Sequence, residues 1–342
     1  MTYSNPFKTC LIAGLTLASF SSLSTAAIAQ DRVTSAVATS EVITFEIENF
    51  IGRMTIKNGE GFSIKGADAN TLSEKGNVWR IDGREEVKVT SCRESNSRVE
   101  LSFGSWNWLS RSGGYKNLDE YPHLKVTLPD TARLKISKSV IYGDTKDLGA
   151  ADITLNHCGD LVLGSVAETL DVEIKSSADV HADNVGTANV SIHGSGDVSL
   201  NEVGDFSLSI NGSGDVDVSS INGTAILNTN GSGDIEIDDI NGSLEYRSQG
   251  SGDISIDDLQ ASNAYISTNG SGDVEIDSGD VIDLSVKTSG SGDVDYGGHA
   301  ETVTARTSGS SDIYVKKVSG EVSVSVSGSG SVRMDGIRYE RD

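Results

Sequence analysis

The residues best suited to chemistry in this sequence are aspartates that recur at almost even intervals. Each ends a Gly-Ser-Gly-Asp tetrapeptide or a near copy of one, and successive members lie 18 to 20 residues apart. Carboxylates repeated at a fixed spacing offer the hard oxygen ligands that calcium prefers. The aspartates that we consider as calcium ligands are Asp215, Asp234, Asp253, Asp273 and Asp293.

A structural role at a corner of the chain is the favoured interpretation of these aspartates. Sharp corners need positive φ, which glycine adopts without steric cost, so the two glycines around each serine predict a turn. The aspartate can accept hydrogen bonds from nearby backbone N–H groups. Stacked carboxylates about 4.8 Å apart repel each other by roughly 0.9 kcal/mol even in bulk water. Backbone donors and solvent, or alternatively bound cations, must offset this repulsion.

The carboxylates give no sign of an active site. They repeat uniformly along the chain, so no pair is singled out as general acid and general base. The five histidines match no metal-ligand spacing. Gly-x-Gly is followed by a strand pattern and not by a helix, which excludes a dinucleotide site. We therefore expect no enzymatic activity and no cofactor, with calcium as the one alternative.

The elements that position the aspartates follow the same period. Apolar residues lie one and three positions after each aspartate and again nine, seven and five positions before it, as in Val198 and Leu200 or Leu170, Val172 and Ile174. Spacing by two residues places side chains on one face of a strand. The period predicts a solenoid. The aligned residues are Asp160, Asp179, Asp197, Asp215, Asp234, Asp253, Asp273, Asp293, Asp312 and Ser331.

We therefore predict an all-β protein, a β-solenoid (β-helix) with coils of about 19 residues, preceded by an irregular N-terminal β-strand part. Small residues at inward positions, such as Ala225, Ala264, Thr268 and Ala305, favour a narrow interior without a ligand cavity. The stretch from Glu41 to Lys65 alternates cleanly, and its Asn-Gly turn predicts a hairpin or an irregular first coil.

Charge restricts the partners. The 342 residues carry a formal net charge of −23. Residues 151–342 hold 33 Asp and Glu against 9 Lys and Arg, whereas residues 1–150 hold 17 against 18. The repeated part would repel phosphate, so we expect no nucleic acid partner. A glycan or an envelope protein is the expected kind of partner, and association of copies through the solenoid ends is a further alternative.

The N-terminus has the features of an export signal. Lys8 precedes an apolar run from Leu11 to about Leu23, and Ala27-Ile28-Ala29 has the form of a signal-peptidase site. We expect a periplasmic, outer-membrane-associated or secreted protein with no integral membrane span after signal removal. The predicted organisation is a signal peptide (1–29), a linker (30–40), an N-terminal β-region of first coils or cap (41–145), regular solenoid repeats (146–332) and a C-terminal tail (333–342).

Two cysteines, Cys92 and Cys158, remain after signal removal, 66 residues apart. An oxidising compartment permits them to pair; two unpaired buried thiols are the alternative. One aromatic segment, 103–121, interrupts the repeats. Its Trp106, Trp108 and Tyr115 could form an exposed ligand-binding loop, or the tryptophans could cap the open end of the solenoid, which is the interpretation we prefer.

Three features resemble the auto-transporter adhesin family called the head GIN domain, a family of exported bacterial proteins. They are the strand around Ile51 to Ile56, the Val-Thr-Leu-Pro at Val126 to Pro129, and the Gly-Ser-Gly-Asp coils, together covering most of residues 41–332. The resemblance implies a β-helical fold and an envelope location, and it carries over no catalytic residues.

The function that we predict is a non-catalytic, exported, structural or adhesive cell-envelope protein. A calcium-binding surface module that uses the stacked aspartates is the alternative. A β-helix protein that binds or acts on polysaccharide is the third candidate.

Overall fold

A computed structural model describes residues 42–95, 98–103 and 115–341. Strands account for 66% of these residues, and coils of about 19 residues stack into a β-solenoid of about 11 turns. The described ranges contain no α-helix and one 3-10 turn, Leu118–Glu120. The predicted fold class is confirmed. The predicted signal peptide (1–29), the linker (30–40), Trp106 and Trp108 lie outside the described residues.

The strands follow one another along the chain in this order: β1 (Thr44–Glu48), β2 (Ile51–Asn58), β3 (Ser63–Lys65), β4 (Leu72–Lys75), β5 (Val78–Asp82), β6 (Val89–Ser95), β7 (Arg98–Phe103), β8 (Tyr115–Asn117), β9 (His123–Leu128), β10 (Arg133–Ser137), β11 (Val140–Asp144), β12 (Ala150–Leu155), β13 (Asp160–Leu163), β14 (Val166–Ile174), β15 (Asp179–Ile192), β16 (Val198–Ile210), β17 (Val216–Ile221), β18 (Thr224–Thr229), β19 (Ile235–Ser248), β20 (Ile254–Thr268), β21 (Val274–Ser278), β22 (Asp280–Thr288), β23 (Val294–Thr307), β24 (Ile313–Val318), β25 (Val322–Val326), β26 (Val332–Met334) and β27 (Ile337–Tyr339).

The strands of the repeats form two stacks of parallel strands, which we call wall one and wall two. Wall one contains the residues before each corner, so that Val172 pairs with Val190 and Val190 with Leu208. Wall two contains the residues after each corner, so that Val180 pairs with Val198 and Val198 with Val216. Long strands such as β16 and β20 continue from wall two of one coil into wall one of the next. Equivalent positions of successive coils therefore pair with each other.

The interior is filled by the alternating apolar positions that the sequence predicts. Leu170, Val172 and Ile174 are buried on wall one, and Val198 and Leu200 are buried on wall two. Large and small residues alternate along one inward column of wall one, whose successive members are Phe206, Ala225, Leu244, Ala264 and Leu284. This alternation lets neighbouring coils interdigitate without voids.

The order of coils in the stack differs from the order along the chain at the N-terminal end. Strand β1 lies between β5 and β10, and β2 lies between β9 and β11, all in parallel. The later strands β5 and β9 thus form a layer outside the first coil. The Asn58-Gly59 turn joins β2 to β3, and both strands pair with β9 and not with each other, so this stretch forms the irregular coil and not the hairpin.

The segment between β5 and β9 forms a small antiparallel sheet of β6, β7 and β8. Its residues Val89 and Leu101 pack on Val140 and Tyr142, which lie on the outer side of wall two. Cys92 in β6 is bonded to Cys158 in the solenoid, with their Cα atoms 6.1 Å apart, a separation that suits a disulfide. Of the two alternatives for these cysteines, a disulfide or two unpaired thiols, the structure has the disulfide.

The prediction of positive φ at the corner glycines is wrong. Positive φ occurs at Gly279 and at a few turns, but at none of the Gly-Ser-Gly-Asp glycines. The corners need glycine because the coil below is too close. A Cβ on the first corner glycine of a coil would lie less than 3.0 Å from the carbonyl oxygen of the equivalent residue one coil earlier, as at Gly231 over Gly212. The third corner position is equally close, as at Gly233 over Gly214, and both positions accept a small residue in some coils, such as Ser176 at the first and Ala178 at the third.

We predict that Gly231→Ala destabilises the solenoid, because the added Cβ forces the backbone of two coils apart. Overpacking of this kind costs about 1–3 kcal/mol. The measurement is the urea midpoint followed by circular dichroism. Ser232→Ala, at the adjacent exposed position, is the matched control and leaves the midpoint unchanged. Equal midpoints for the two variants would contradict the close-approach explanation.

Candidate functional site

The recurring aspartates form one continuous ladder along a corner of the solenoid. The backbone N–H of each aspartate donates to Oδ1 of the aspartate one coil earlier at 2.7–2.9 Å, and the last bond, from Ser331 to Asp312, is 2.6 Å. The predicted alignment in a single file is confirmed. We call this file the aspartate ladder; its acceptors are Asp179, Asp197, Asp215, Asp234, Asp253, Asp273, Asp293 and Asp312.

Main-chain bonds complete each step of the aspartate ladder. The carbonyl of Asp253, for example, accepts from the N–H of Ile235, while the N–H of Asp253 donates to Oδ1 of Asp234. The carboxylate thus replaces a main-chain acceptor at the corner. Charge-assisted bonds of this type are stronger than neutral ones. Backbone donors therefore offset the carboxylate repulsion, as the structural interpretation expects.

The ladder begins one coil later than the series of aligned aspartates predicted from the sequence, which starts at Asp160. Asp160 pairs with Asp179 in register, but the N–H of Asp179 donates to the carbonyl of Gly159 and not to the Asp160 side chain. Oδ1 of Asp160 is buried without a hydrogen-bond partner among the described residues. Asp160 is therefore aligned with the ladder without accepting its first bond.

A shallow groove of about 610 Å³ follows the aspartate ladder. Wall two contributes the residues two positions after each ladder aspartate, and Asp217 pairs there with Glu236 and Glu236 with Ser255. The acidic column is thus interrupted by serine at Ser199 and Ser255, which separates some of the like charges. The groove is lined on both edges by side-chain oxygens.

The predicted calcium ligands Asp215, Asp234, Asp253, Asp273 and Asp293 all lie in the ladder. Each uses Oδ1 to accept a backbone N–H, whereas calcium takes six to eight oxygen ligands. Among residues 42–95, 98–103 and 115–341, no group of three or more His, Cys, Asp or Glu is arranged to hold a metal. Calcium binding here stays a prediction from sequence.

Burial changes the protonation of the ladder at its N-terminal end. Desolvation raises the pKa of the half-buried Asp179 above its ordinary value, and the charges of Asp197 and Asp160 act in the same direction. The hydrogen bond from the N–H of Asp197 opposes this shift. Burial also raises the pKa of Asp295, with a further contribution from Asp277.

The predicted aromatic site cannot be assembled from the described residues. Trp106 and Trp108 lie outside them, and of Tyr115 only the backbone, in β8, is described. Other aromatic residues fill the N-terminal end of the core. Phe62 stacks on Trp79 with ring centroids 4.2 Å apart, and both are buried. Phe62 lies just before β3 and Trp79 lies in β5, and the sequence signal for this role is their alternation with the apolar Ile64 and Ile81.

The outer side of wall one carries a polar surface that the sequence analysis did not single out. A groove of about 400 Å³ is lined there by amide, hydroxyl and carboxylate side chains from successive coils. Asn189 donates from Nδ2 to Oδ1 of Asp171 at 2.8 Å. We call this surface the polar track; its side chains are Asp152, Thr154, Asp171, Glu173, Asn189, Ser191, Ser207, Ser209 and Asn228.

The aspartate ladder defines the class of protein: in the part of the chain that the structure describes, it is a β-solenoid whose coils are joined at one corner by carboxylates. The chain belongs to the family described as putative auto-transporter adhesin, head GIN domain, which matches residues 120–221 and 220–337. The resemblance stated from the sequence is confirmed. A comparison with curated proteins found no match.

Two solved structures are similar to this chain. One is a putative adhesin from Bacteroides fragilis NCTC 9343, with 15% identity, 89% of this chain and 98% of that chain covered, and a TM-score of 0.25. The other is a putative lipid binding protein from Parabacteroides distasonis ATCC 8503, with 12% identity, 87% and 94% covered, and a TM-score of 0.30. In the part of this chain that the structure describes, no helix has the length and apolar character to cross a membrane.

We predict that Asp253→Ala is destabilising and that Asp253→Asn is nearly neutral. Alanine leaves the N–H of Asp273 without its acceptor, which costs about 1–3 kcal/mol, whereas the asparagine carbonyl can still accept. Hydrogen exchange at the amide of Asp273 reports the bond directly, and urea unfolding reports its energy. If asparagine costs as much as alanine, the charge and not the acceptor is what the ladder requires.

We predict that Asp179→Asn stabilises the fold at neutral pH. The folded-state pKa of Asp179 is raised above its ordinary value of 3.8, so the folded state binds this proton more tightly than the unfolded state. Ionised Asp179 therefore lowers stability at pH 7, and this cost disappears as the pH falls through the folded-state pKa and below 3.8. Urea midpoints from pH 7 to pH 3 should converge for the variant and the parent.

The exposed Asp183 lies in the same coil and provides the control for this titration. Asp183→Asn removes one negative charge without removing a half-buried carboxylate. A stabilisation of the same size in both variants would show that net charge, and not burial, is responsible.

Proposed function

We propose that this protein is an exported, non-catalytic adhesive or structural protein of the cell envelope. The chain belongs to a family whose description names an adhesin, and this membership supports the adhesive part of the proposal. The observation that carries the non-catalytic part is the aspartate ladder, in which the recurring carboxylates serve as backbone acceptors. Each ladder carboxylate commits Oδ1 to a backbone N–H, and the same arrangement repeats from coil to coil instead of setting one pair apart as general acid and general base.

Export to an oxidising compartment is supported by two features. The sequence of residues 1–29 has the order of a signal peptide. The bond between Cys92 and Cys158 is of a kind that persists outside the cytoplasm. We propose a periplasmic, outer-membrane-associated or secreted location on this basis.

The polar track is the surface that we propose for adhesion, and a neutral glycan is the ligand class that it suits. Asn189, Ser207 and Asn228 are exposed, and their amides and hydroxyls can both donate and accept. Their positions repeat from coil to coil at about 4.8 Å, so the track offers a linear array of hydrogen-bonding groups. An extended chain of sugars presents hydroxyls in a comparable linear array. The net charge of −23 disfavours polyanionic chains.

The test is binding of the exported chain to an array of neutral bacterial polysaccharides, measured with and without the double substitution Ser209→Ala and Asn228→Ala. We expect at least one neutral glycan to bind and the variant to bind it at least about tenfold more weakly, the effect of losing about 1.4 kcal/mol. The matched control is Ser199→Ala with Ser255→Ala, which removes two hydroxyls from the acidic groove on the opposite wall.

Four outcomes contradict parts of this proposal. Cleavage of a bound glycan contradicts the non-catalytic assignment. Binding that the control pair and the track pair reduce equally places the ligand elsewhere. Binding that is lost on chelation favours the calcium alternative. A loss produced only by Trp106→Ala with Trp108→Ala would move the site to the aromatic segment.

A further inference from the structure

The two ends of the solenoid are finished differently. At the N-terminal end β4 runs antiparallel along β5, and β3 runs antiparallel along β9. The stacked rings of Phe62 and Trp79 fill the core beneath. Strand β4 has Glu74 and Lys75 exposed, and charged side chains on an edge strand oppose pairing with another chain. This end is closed against further strands.

The C-terminal end is closed on one wall only. On wall two, β26 is covered by the antiparallel β27. On wall one, β25 pairs with β23 alone among the described strands. Val322 is 41% exposed, and Val324 and Val326 are partly buried, although the equivalent Leu284 and Val286 of an inner coil are buried. The predicted inward face of β25 thus has no coil beyond it.

The backbone of β25 offers a free edge. The N–H of Val303 donates to the carbonyl of Glu321, and the N–H of Ser327 donates to the carbonyl of Thr307, both at 2.9 Å. Since the groups of a parallel strand point alternately to either side, the N–H and C=O groups of Val322, Val324 and Val326 point away from β23. An uncharged edge with three donors and three acceptors is a template for strand addition.

We propose that β25 pairs with β25 of a second copy of this chain, forming a two-fold symmetric dimer joined at the C-terminal ends of the solenoids. The strand sequence, Val-Ser-Val-Ser-Val, reads the same in both directions. Antiparallel pairing about Val324 places Val322 opposite the partner's Val326 and serine opposite serine. Such a surface is self-complementary, as an isologous interface requires.

Charge favours contact at this end over side-by-side contact between copies. Residues 151–305 contain 3 Lys and Arg against 28 Asp and Glu, a balance of −25, whereas residues 306–342 contain 6 against 5, a balance of +1. Contact between the C-terminal ends keeps the acidic coils of the two copies apart, while side-by-side packing would bring them together. The paired edge is short, so we expect a weak, micromolar dimer.

Sedimentation equilibrium of the exported chain over about 1–200 µM tests the dimer, since this range brackets a micromolar dissociation constant. We expect a monomer–dimer equilibrium, with Val324→Lys at least tenfold weaker because it places a charge in the pairing edge. Ser323→Lys, on the outward side of the same strand, is the matched control and keeps the dimer. Circular dichroism melting of Val324→Lys checks that its coils remain folded.

A cysteine at the two-fold axis tests the register. Under mild oxidation Val324→Cys should form a disulfide-linked dimer, whereas Ser323→Cys should not, because the proposed register places Ser323 opposite Ser325 of the second copy and not opposite its Ser323. A parent chain that is monomeric throughout the concentration range overturns the proposal. Oligomers that grow beyond two copies overturn the two-fold arrangement, and a dimer that survives Val324→Lys places the interface elsewhere.

Discussion

Parallel stacking in register is the constraint on which the rest of this structure depends. Each coil exchanges main-chain hydrogen bonds with the coils on either side, so a residue lies directly over its equivalent in the previous coil. The coils are about 4.8 Å apart, so residues at the same position of successive coils must meet three requirements. Their side-chain volumes must fit together, their backbones must be able to approach closely, and their charges must be tolerated. The alternation of Phe206, Ala225 and Leu244 satisfies the first requirement, and glycine at the corners satisfies the second.

The aspartate ladder satisfies the third requirement and supplies a missing acceptor as well. At the first corner of the series the N–H of Asp179 donates to the carbonyl of Gly159, but in the later coils the N–H of the aspartate turns to a side chain. The carboxylate one coil earlier takes the place of that carbonyl. Eight of the 50 acidic residues are therefore tied to a hydrogen-bonding need of the backbone. The outward carboxylates and serines that line the groove are a separate, solvent-facing set.

A stacked core is necessarily open at its two ends, and the chain resolves each end differently. The N-terminal end uses strands from later in the chain, which return to cover the first coil, together with an aromatic stack. The C-terminal end uses one short hairpin that covers wall two. The exposure of Val322 follows from this unequal closure, and so does its capacity to meet another strand.

Period and alternation alone determined the all-β solenoid, the inward faces and the alignment of the aspartates, because these properties are fixed by residues close in sequence and repeated by translation. Pairing of Cys92 with Cys158 was left open between two alternatives. Only the tertiary structure decided that Oδ1 of Asp253 accepts from Asp273, that Gly231 is required by the carbonyl of Gly212, that β5 and β9 lie outside the first coil, and that Phe62 and Trp79 fill its end. Each of these depends on which residues of different coils meet in space, and a one-dimensional pattern does not contain those distances.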